Sequence, residues 1–327
     1  MTKKWKKAIA LSLAALTLTG ALAGCGDDKK AASGAAKPAA GQTIKINFPT
    51  AGASGALYAV GAAITNMWSS QVPGVQASSQ ASAGGIANLN MVSEGEAQVS
   101  IAISSNVYQC LNGTDSFKDH AYKDLKAIGG LYLNPNQVVA TANSGINSLK
   151  DVKGKHFAVA SAGSSVYNEC ETHFTAADLS FPDDIKAEYI TFTDAADMLQ
   201  NGSIDGAWIM SGAPASAVTQ ALTGGAHLVE IDDNLIKELK AKYPWYTSYT
   251  IKAGTYPNQD KDVKTSAIKM VMFCRGDLPE DVVYQLTKTL WEHMDELGQS
   301  QKNLKGLTAE NAVKDIADIP LHPGAAK

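Results

Sequence analysis

Two kinds of hydrophobic pattern alternate along the chain. Short runs of β-branched and other apolar residues predict strands, and segments in which apolar residues recur every three or four positions predict helices. In the first part of the chain, strands are predicted over residues 44–48, 99–103, 125–133 and 137–142, with helices over 54–68 and 85–93. A similar series follows, with strands over 156–160, 188–191, 206–210 and 265–273 and helices over 166–177, 194–200 and 280–297. This alternation is typical of α/β layering.

The N-terminal segment has the pattern of a secretion signal. Four lysines precede an apolar run of 16 residues, from Ala8 to Ala23, which is shorter than the roughly 20 residues that span a membrane. The run ends in Leu22-Ala23-Gly24-Cys25, which resembles the bacterial lipobox, in which the cysteine is lipidated and becomes the new N-terminus. We therefore predict a signal peptide over residues 1–24, lipidation at Cys25 and a flexible tether over 25–42. An ordinary signal peptide and a transmembrane anchor are the alternatives.

Size and charge narrow the class of protein that follows this signal. The 303 residues that remain after its removal suit two compact lobes. The net charge of −4 becomes −8 once the four signal lysines are lost. A nucleic-acid partner is not expected, because the chain has no clustered basic stretch. The predicted location is the periplasmic or extracytoplasmic face of the cell membrane.

The scarcity of cysteine and arginine limits the chemistry of any site. Cys110, Cys170 and Cys274 are odd in number and widely spaced, so they indicate neither a disulfide framework nor a metal site, and we expect them to be buried. Arg275 is the only arginine, so a bound anion has to be held mostly by hydroxyls, amides or backbone N–H groups. The histidines are scattered and no nucleophile–base arrangement is visible. The sequence therefore predicts no metal, no cofactor and no catalysis.

Three predicted strands end in small polar turns that begin helices. These turns are Ala53-Ser54-Gly55, Ser104-Ser105-Asn106 and Gly163-Ser164-Ser165. In open α/β sheets, ligands bind beyond the carboxyl ends of the strands, where helix N-termini present free N–H groups and a positive dipole end. Serine and asparagine also cap helices that bind nothing, which is the alternative for each turn alone. Their occurrence in both halves predicts a shared cleft that suits an anion.

The turns belong to an ordered series of short motifs that resembles the TAXI family, the solute receptors of tripartite ATP-independent periplasmic (TRAP) transporters. The series covers nearly all of the chain after residue 44 and comprises Ser54-Gly55-Ala56-Leu57-Tyr58, 82–88, 95–97, Ser105-Asn106, 144–146, 151–155, Ala162-Gly163-Ser164-Ser165, 204–208, 211–214, 242–246, 253–257, 277–284 and 321–324. Four positions depart from the family pattern. They are Leu57 in place of tyrosine, Ala83 in place of glycine, Ala87 in place of glutamate and Asn106 in place of aspartate.

The resemblance implies an α/β fold of the two-lobed, periplasmic-binding-protein-like type II, with a hinge and an interlobe cleft. The first lobe is expected to comprise residues 43–138 and 251–327, and the second lobe residues 139–250. The expected ligand-binding residues combine the turn motifs with the family pattern. They are Ser54, Gly55, Tyr58, Ser82, Gly84, Gly85, Asn88, Ser105, Asn106, Ser164, Ser165, Trp208 and Gly212. Ser164 is the sharpest of these expectations, and Arg275 is expected to be structural.

The resemblance also implies a function. A monomeric receptor would capture a small carboxylate-bearing solute, either glutamate or glutamine or a dicarboxylate such as 2-oxoglutarate. It would close around the solute and deliver it to the integral membrane subunits of a TRAP transporter. A receptor for an ABC-type importer, which shares the fold, is the alternative within binding proteins. An extracytoplasmic hydrolase is the alternative in a different class.

Overall fold

The computed structural model describes residues 43–53, 55–243 and 245–327. The predicted signal peptide, the tether, Cys25 and Ser54 lie outside the described residues. The strands are β1 (Ile44–Pro49), β2 (Val75–Gln80), β3 (Val99–Ile103), β4 (Leu125–Ala140), β5 (His156–Ala158), β6 (Lys186–Glu188), β7 (Gly206–Met210), β8 (His227–Val229), β9 (Tyr246–Ile251) and β10 (Val263–Arg275). The α-helices are α1 (Ala56–Gln71), α2 (Gly85–Ser93), α3 (Ser104–Asn112), α4 (Ser165–Ala176), α5 (Phe192–Gln200), α6 (Ser216–Thr223), α7 (Asp233–Lys242), α8 (Glu280–Glu292), α9 (Met294–Ser300) and α10 (Ala309–Ala312).

Two long antiparallel strands, β4 and β10, join the two halves of the molecule. The main sheet runs in the order β3-β10-β4-β7-β5-β6, with β9 added to β10 and β8 added to β4, while β1 and β2 form a separate parallel pair. The first part of β4 pairs with β10, and its last residues, from Asn136 to Ala140, pair with β7. One end of β4 and β10 therefore belongs to the first half and the other end to the second half.

Each half has helices packed on both faces of its sheet. In β10, Met270 and Met272 face the cluster that contains α1 and α8, while Val271 and Phe273 face α2 and α3. The second half repeats this arrangement, with α4 and α7 on one face and α5 and α6 on the other. The alternation follows from the two-residue period of a strand, which sends successive side chains to opposite faces. The result is the predicted α/β layering.

Helix α1 shows why the periodic segments could be predicted. The predicted apolar face, which consists of Leu57, Val60, Ile64, Met67 and Trp68, is buried. Trp68 is fully buried, and its indole Nε1 donates a hydrogen bond of 3.0 Å to the Leu286 carbonyl oxygen of α8. The three cysteines after Cys25 are buried, as expected, and they are free.

Several predicted elements differ from the observed ones. Strand β4 is continuous, although Asn134-Pro135-Asn136 suggested a break between two strands. The strand continues because Pro135 pairs with Ala267 and the Asn136 side chain donates a 3.0 Å hydrogen bond to the Ser266 Oγ. The last long helix is interrupted at His293, and α6, α7 and α10 had no predicted counterpart. Among the described residues, no helix is both long and apolar enough to cross a membrane.

The packing also bears on the expected lobe boundaries. Ile251, Tyr256 and Val263 pack with α5 and α6 in the second half, although residues from 251 onward were assigned to the first lobe. Strand β10 reaches the first-half core at about Ile268, and β4 leaves its pairing with β10 near Asn136. We therefore place the two crossings near these residues, so the second crossing lies about 17 residues beyond the expected boundary.

A buried polar cluster lies where β4 and β10 cross between the halves. The Tyr246 hydroxyl donates a 2.7 Å hydrogen bond to Oε2 of Glu169, and burial raises the pKa of that carboxyl to about 7. The His173 Nδ1 lies 2.7 Å from the Glu169 carbonyl oxygen, and its Nε2 lies 2.7 Å from the Ser266 Oγ. Burial lowers the pKa of His173 to about 4, so the ring is neutral at pH 7. The Asn136 side chain completes the cluster.

Candidate ligand-binding site

A cavity of about 480 Å³ lies between the two halves. Five helices begin at its wall: α1 at Ala56, α2 at Gly85 and α3 directly after Ile103 in the first half, then α4 at Ser165 and α5 at Phe192 in the second. The first N–H groups of a helix have no partner within the helix, and they carry a partial positive charge. The cavity is therefore suited to an anion.

The lining of the cavity contributes no formal charge. None of the described residues that line it is aspartate, glutamate, lysine, arginine or histidine. Arg275 lies elsewhere, where its Nε donates a 2.8 Å hydrogen bond to Oδ1 of Asp277, and this partner raises the pKa of the guanidinium. An anion in the cavity would have to be held by hydroxyls, amides and backbone N–H groups.

The start of α2 is shaped by two glycines and a buried asparagine. Gly84 has a φ of 101°, a conformation that glycine adopts without strain. Its N–H donates to the Ser82 Oγ at 3.0 Å, and the same Oγ lies 2.6 Å from Oδ1 of Asn88. Asn88 is fully buried, and its Nδ2 donates to the carbonyl oxygens of Thr50 (2.7 Å) and Ile101 (3.1 Å). Asn88 therefore anchors the turn, whereas Ser82, Gly84 and Gly85 line the cavity.

The two serines that begin α4 differ in their hydrogen bonds. Ser164 is the N-cap of α4, and its Oγ accepts a 3.1 Å hydrogen bond from the Tyr167 N–H. The next residue, Ser165, also lines the cavity, is 95% buried, and its Oγ has no partner among the described residues. Leaving a buried hydroxyl unpaired costs about 1–3 kcal/mol. A ligand in the cavity would supply the missing partner.

The start of α3 lies just behind the cavity wall. Asn106 is buried, and its Nδ2 donates to Oε1 of Gln109 at 3.0 Å, while its Oδ1 has no partner among the described residues. The Ser105 Oγ also has no hydrogen-bond partner among the described residues. A β-carbon built on Gly85 would lie 3.5 Å from the Asn106 Oδ1 and 3.0 Å from the Ser165 Oγ. Unpaired polar atoms of α3 and α4 thus converge on the start of α2.

Six of the expected residues do not line the cavity: Asn88, Ser105 and Asn106, described above, and Tyr58, Trp208 and Gly212. Tyr58 is 36% exposed on α1. Trp208 is buried, with its ring centroid 4.8 Å from that of His173, because the carboxyl end of β7 reaches the cavity only two residues further on. Gly212 packs against Asn303, whose atoms would stand 2.9 Å from an added β-carbon. Ser54 lies outside the described residues. The expected residues that line the cavity are Gly55, Ser82, Gly84, Gly85, Ser164 and Ser165.

Several polar lining residues were missed by the sequence interpretation. Tyr132 and Asn134 of β4 line the cavity, and neither side chain has a hydrogen bond within the part of the chain that the structure describes. Burial raises the pKa of Tyr132, so its hydroxyl stays protonated. Ser211 also lines the cavity, and its Oγ accepts a 3.2 Å hydrogen bond from the Ala56 N–H at the start of α1. The sequence does contain a signal for Tyr132 and Asn134, because both are polar residues at alternating positions of an otherwise apolar strand.

Two α/β halves joined by two long strands, with helix starts from both halves around a central cavity, define the periplasmic-binding-protein class of fold. The predicted fold class is thereby confirmed. The chain belongs to the NMT1-like family, which it matches over residues 48–327.

Several solved structures are similar to this chain at low sequence identity. The periplasmic binding protein BugD is similar with a TM-score of 0.52 and 15% identity, over 81% of this chain and 87% of that chain. The aliphatic sulphonate binding protein SsuA from Escherichia coli has a TM-score of 0.47 and 17% identity, over 85% and 84% of the two chains. The substrate binding protein of an amino acid ABC transporter has a TM-score of 0.47 and 13% identity, over 80% and 97%.

Proposed function

We propose that this protein is an extracytoplasmic solute receptor, which captures a small carboxylate-bearing solute in the cavity and delivers it to the membrane subunits of a transporter. One observation carries the proposal. The buried Ser165 Oγ is unpaired at the N-terminus of α4, in a cavity where four other helices begin. A carboxylate would accept hydrogen bonds from this hydroxyl and from free backbone N–H groups, and the helix dipoles would favour its charge.

Contacts between the two halves support a capture mechanism. The Ala56 N–H bonds to the Ser211 Oγ at 3.2 Å, and the Asn168 Nδ2 donates to the Ser116 Oγ at 3.0 Å. A solute that bonds to α2 and to α4 at once would stabilise this closed arrangement relative to an open one. The transporter would then recognise the closed form. The role that we propose is binding and release, without a chemical step.

The finer assignment is to a TRAP transporter of the TAXI type, with the receptor tethered to the membrane through a lipid on Cys25. The ordered motif series supports this assignment. The second candidate is a receptor for an ABC importer, which the likeness in fold to the amino acid ABC transporter component equally allows. Purification of the receptor from its native membrane, followed by identification of its bound partners, separates the two. A fused membrane subunit without an ATPase supports TRAP, and an ATPase-linked permease supports ABC.

Thermal unfolding of the purified mature protein tests the proposed class of solute. A ligand at about 1,000 times its dissociation constant adds about 4 kcal/mol to the free energy of unfolding. The melting temperature should rise by several degrees with at least one carboxylate from a panel that includes glutamate, glutamine and 2-oxoglutarate. Sugars and inorganic cations serve as controls. A response to sugars or cations alone contradicts the proposal.

A further inference from the structure

We infer that the solute is a monoanion, with one carboxylate on an uncharged and mainly apolar body, and that amino acids and dicarboxylates are poor ligands. The inference rests on the proposed function, because it concerns the same cavity. It narrows that function from carboxylates in general to one chemical class.

Among the described residues, the cavity lining contains no partner for a second charge. A buried ion is costly unless it is paired and hydrogen-bonded. An ammonium group would need a carboxylate, and none of the described lining residues supplies one. The acidic residue in the first turn of α5, Asp194, is exposed and accepts a 2.6 Å hydrogen bond from the Thr191 hydroxyl. The positive ends of the helix dipoles would also repel an ammonium group.

The unpaired hydroxyl at the start of α4 marks one place for an anion. At α1, the Ala56 N–H is already bonded to the Ser211 Oγ, and at α5 the Thr191 side chain accepts from the Asp194 N–H. The unpaired hydroxyl of α4, the Ser165 Oγ, lies near the start of α2, 3.0 Å from a β-carbon built on Gly85. The unpaired Oδ1 of Asn106 lies 3.5 Å from the same position, but it is an acceptor and cannot bond to a carboxylate. A second carboxylate would lie away from this point, where none of the described lining residues is a cation that could pair with its charge.

The remaining wall is mostly apolar. Aliphatic, sulfur-containing and aromatic side chains from both halves form it, including Leu57, Ile101, Ile190, Phe192, Met210 and Met270. Each methylene that a solute buries against such a wall is worth about fourfold in affinity. The Tyr132 hydroxyl and the Asn134 amide are the polar exceptions on β4, and they can accept a neutral polar group such as a hydroxyl or a 2-oxo group. An acid with a branched aliphatic body fits this distribution.

Four matched probes test the inference by calorimetry on the purified mature protein. They are 4-methylpentanoate, leucine, which adds an ammonium group, glutarate, which replaces the apolar end with a second carboxylate, and 4-methylpentanamide, which removes the charge. We expect 4-methylpentanoate to bind at least about tenfold more tightly than each of the other three. We also expect Phe192→Ala to weaken its binding about tenfold, because the ring lines the cavity, and Tyr189→Ala to leave it unchanged, because that exposed ring does not.

The outcomes separate the inference from the function on which it rests. If glutarate or leucine binds as tightly as 4-methylpentanoate, the monoanion inference is overturned and the carboxylate receptor stands. If the amide binds as tightly as the acid, or if no carboxylate binds, both the inference and the proposed function are contradicted. An equal loss of affinity in Phe192→Ala and Tyr189→Ala would contradict the placement of the apolar body.

Discussion

Gly85 and Ser165 lie side by side in the cavity lining, so close that a β-carbon on Gly85 would lie 3.0 Å from the Ser165 Oγ. This distance is shorter than an ordinary contact between a β-carbon and a neighbouring atom. The two residues begin α2 in the first half and α4 in the second half. The absence of a side chain at Gly85 therefore allows both helix starts to reach one bound group.

Gly85→Ala is expected to weaken solute binding while leaving the fold intact. The added methyl group would lie 3.0 Å from the Ser165 Oγ and 3.1 Å from the buried Ala102 β-carbon, so α2 would have to move, while the same methyl favours the helical backbone. We expect about a tenfold loss of affinity in calorimetry, and a change in the free energy of unfolding within about 1 kcal/mol. Gly52→Ala is the comparison variant, because it adds a methyl group elsewhere in the cavity lining, where a β-carbon meets no protein atom within 4 Å, and we expect a smaller loss of affinity. Equal affinities for the two variants would contradict this geometry.

Glu169 and His173 predict opposing pH dependences of stability. The Glu169 pKa is raised to about 7, so between pH 4.5 and 7 the folded state holds a proton that the unfolded state releases. Its contribution to the free energy of unfolding is therefore fully present below pH 4.5 and is lost as the pH rises through 7. The His173 pKa is lowered to about 4, so the unfolded state binds the extra proton, and stability rises between pH 4 and 6.5. Above pH 6.5 only Glu169 still changes the free energy of unfolding, which falls as the pH rises towards 7.

The variant Glu169→Gln isolates the contribution of Glu169 to the pH dependence of stability. Glutamine keeps an acceptor for the Tyr246 hydroxyl but does not titrate, so the variant should gain stability relative to the wild type as the pH rises. Urea unfolding between pH 4.5 and 8 should show the difference growing by about 3 kcal/mol. Glu171→Gln, at an exposed position on the same helix, should show a constant difference. A constant difference for Glu169→Gln as well would mean that Glu169 is ionised in the folded state throughout this range.

The predicted lipid anchor has its own test. Cys25→Ser removes the thiol that would carry the lipid, and the predicted signal is too short to serve as a membrane span. We expect the variant to appear in the soluble fraction after cell fractionation, while the wild type sediments with membranes. Sedimentation of the variant with membranes would contradict the lipobox prediction.

Elements with a strong period could be predicted from the sequence, because burial on one face imposes the pattern. The apolar face of α1 is of this kind. The strand Gly206–Met210 is buried on both faces, and its continuous apolar run made it predictable. The continuity of β4 could not be predicted, because Asn134-Pro135-Asn136 has the composition of a turn. Its extended conformation depends on pairing with β10, whose residues are about 130 positions away.

Site residues were predictable as turns but not as ligand contacts. Ser164 and Ser165 are adjacent hydroxyls in one motif, and the sequence cannot tell which of them caps α4. The Tyr167 N–H bonds to Ser164, which leaves the Ser165 hydroxyl unpaired. Trp208 was expected at the cavity from the family pattern, yet the strand reaches the cavity only two residues further on. Tyr132 reaches the cavity through sheet register, which depends on distant pairing.

Ser165→Ala gives the most direct test of the central claim, that a carboxylate is held at the start of α4. Calorimetry with the acid that most raises the melting temperature should show a loss of about 1.5–3 kcal/mol in binding, roughly 10- to 150-fold in Kd. Ser164→Ala should instead cost about 1 kcal/mol of stability with a smaller change in affinity, because Ser164 is the N-cap. Arg275→Ala should leave affinity unchanged, because Arg275 lies outside the cavity lining. A large loss of affinity in Arg275→Ala, with none in Ser165→Ala, would contradict the account.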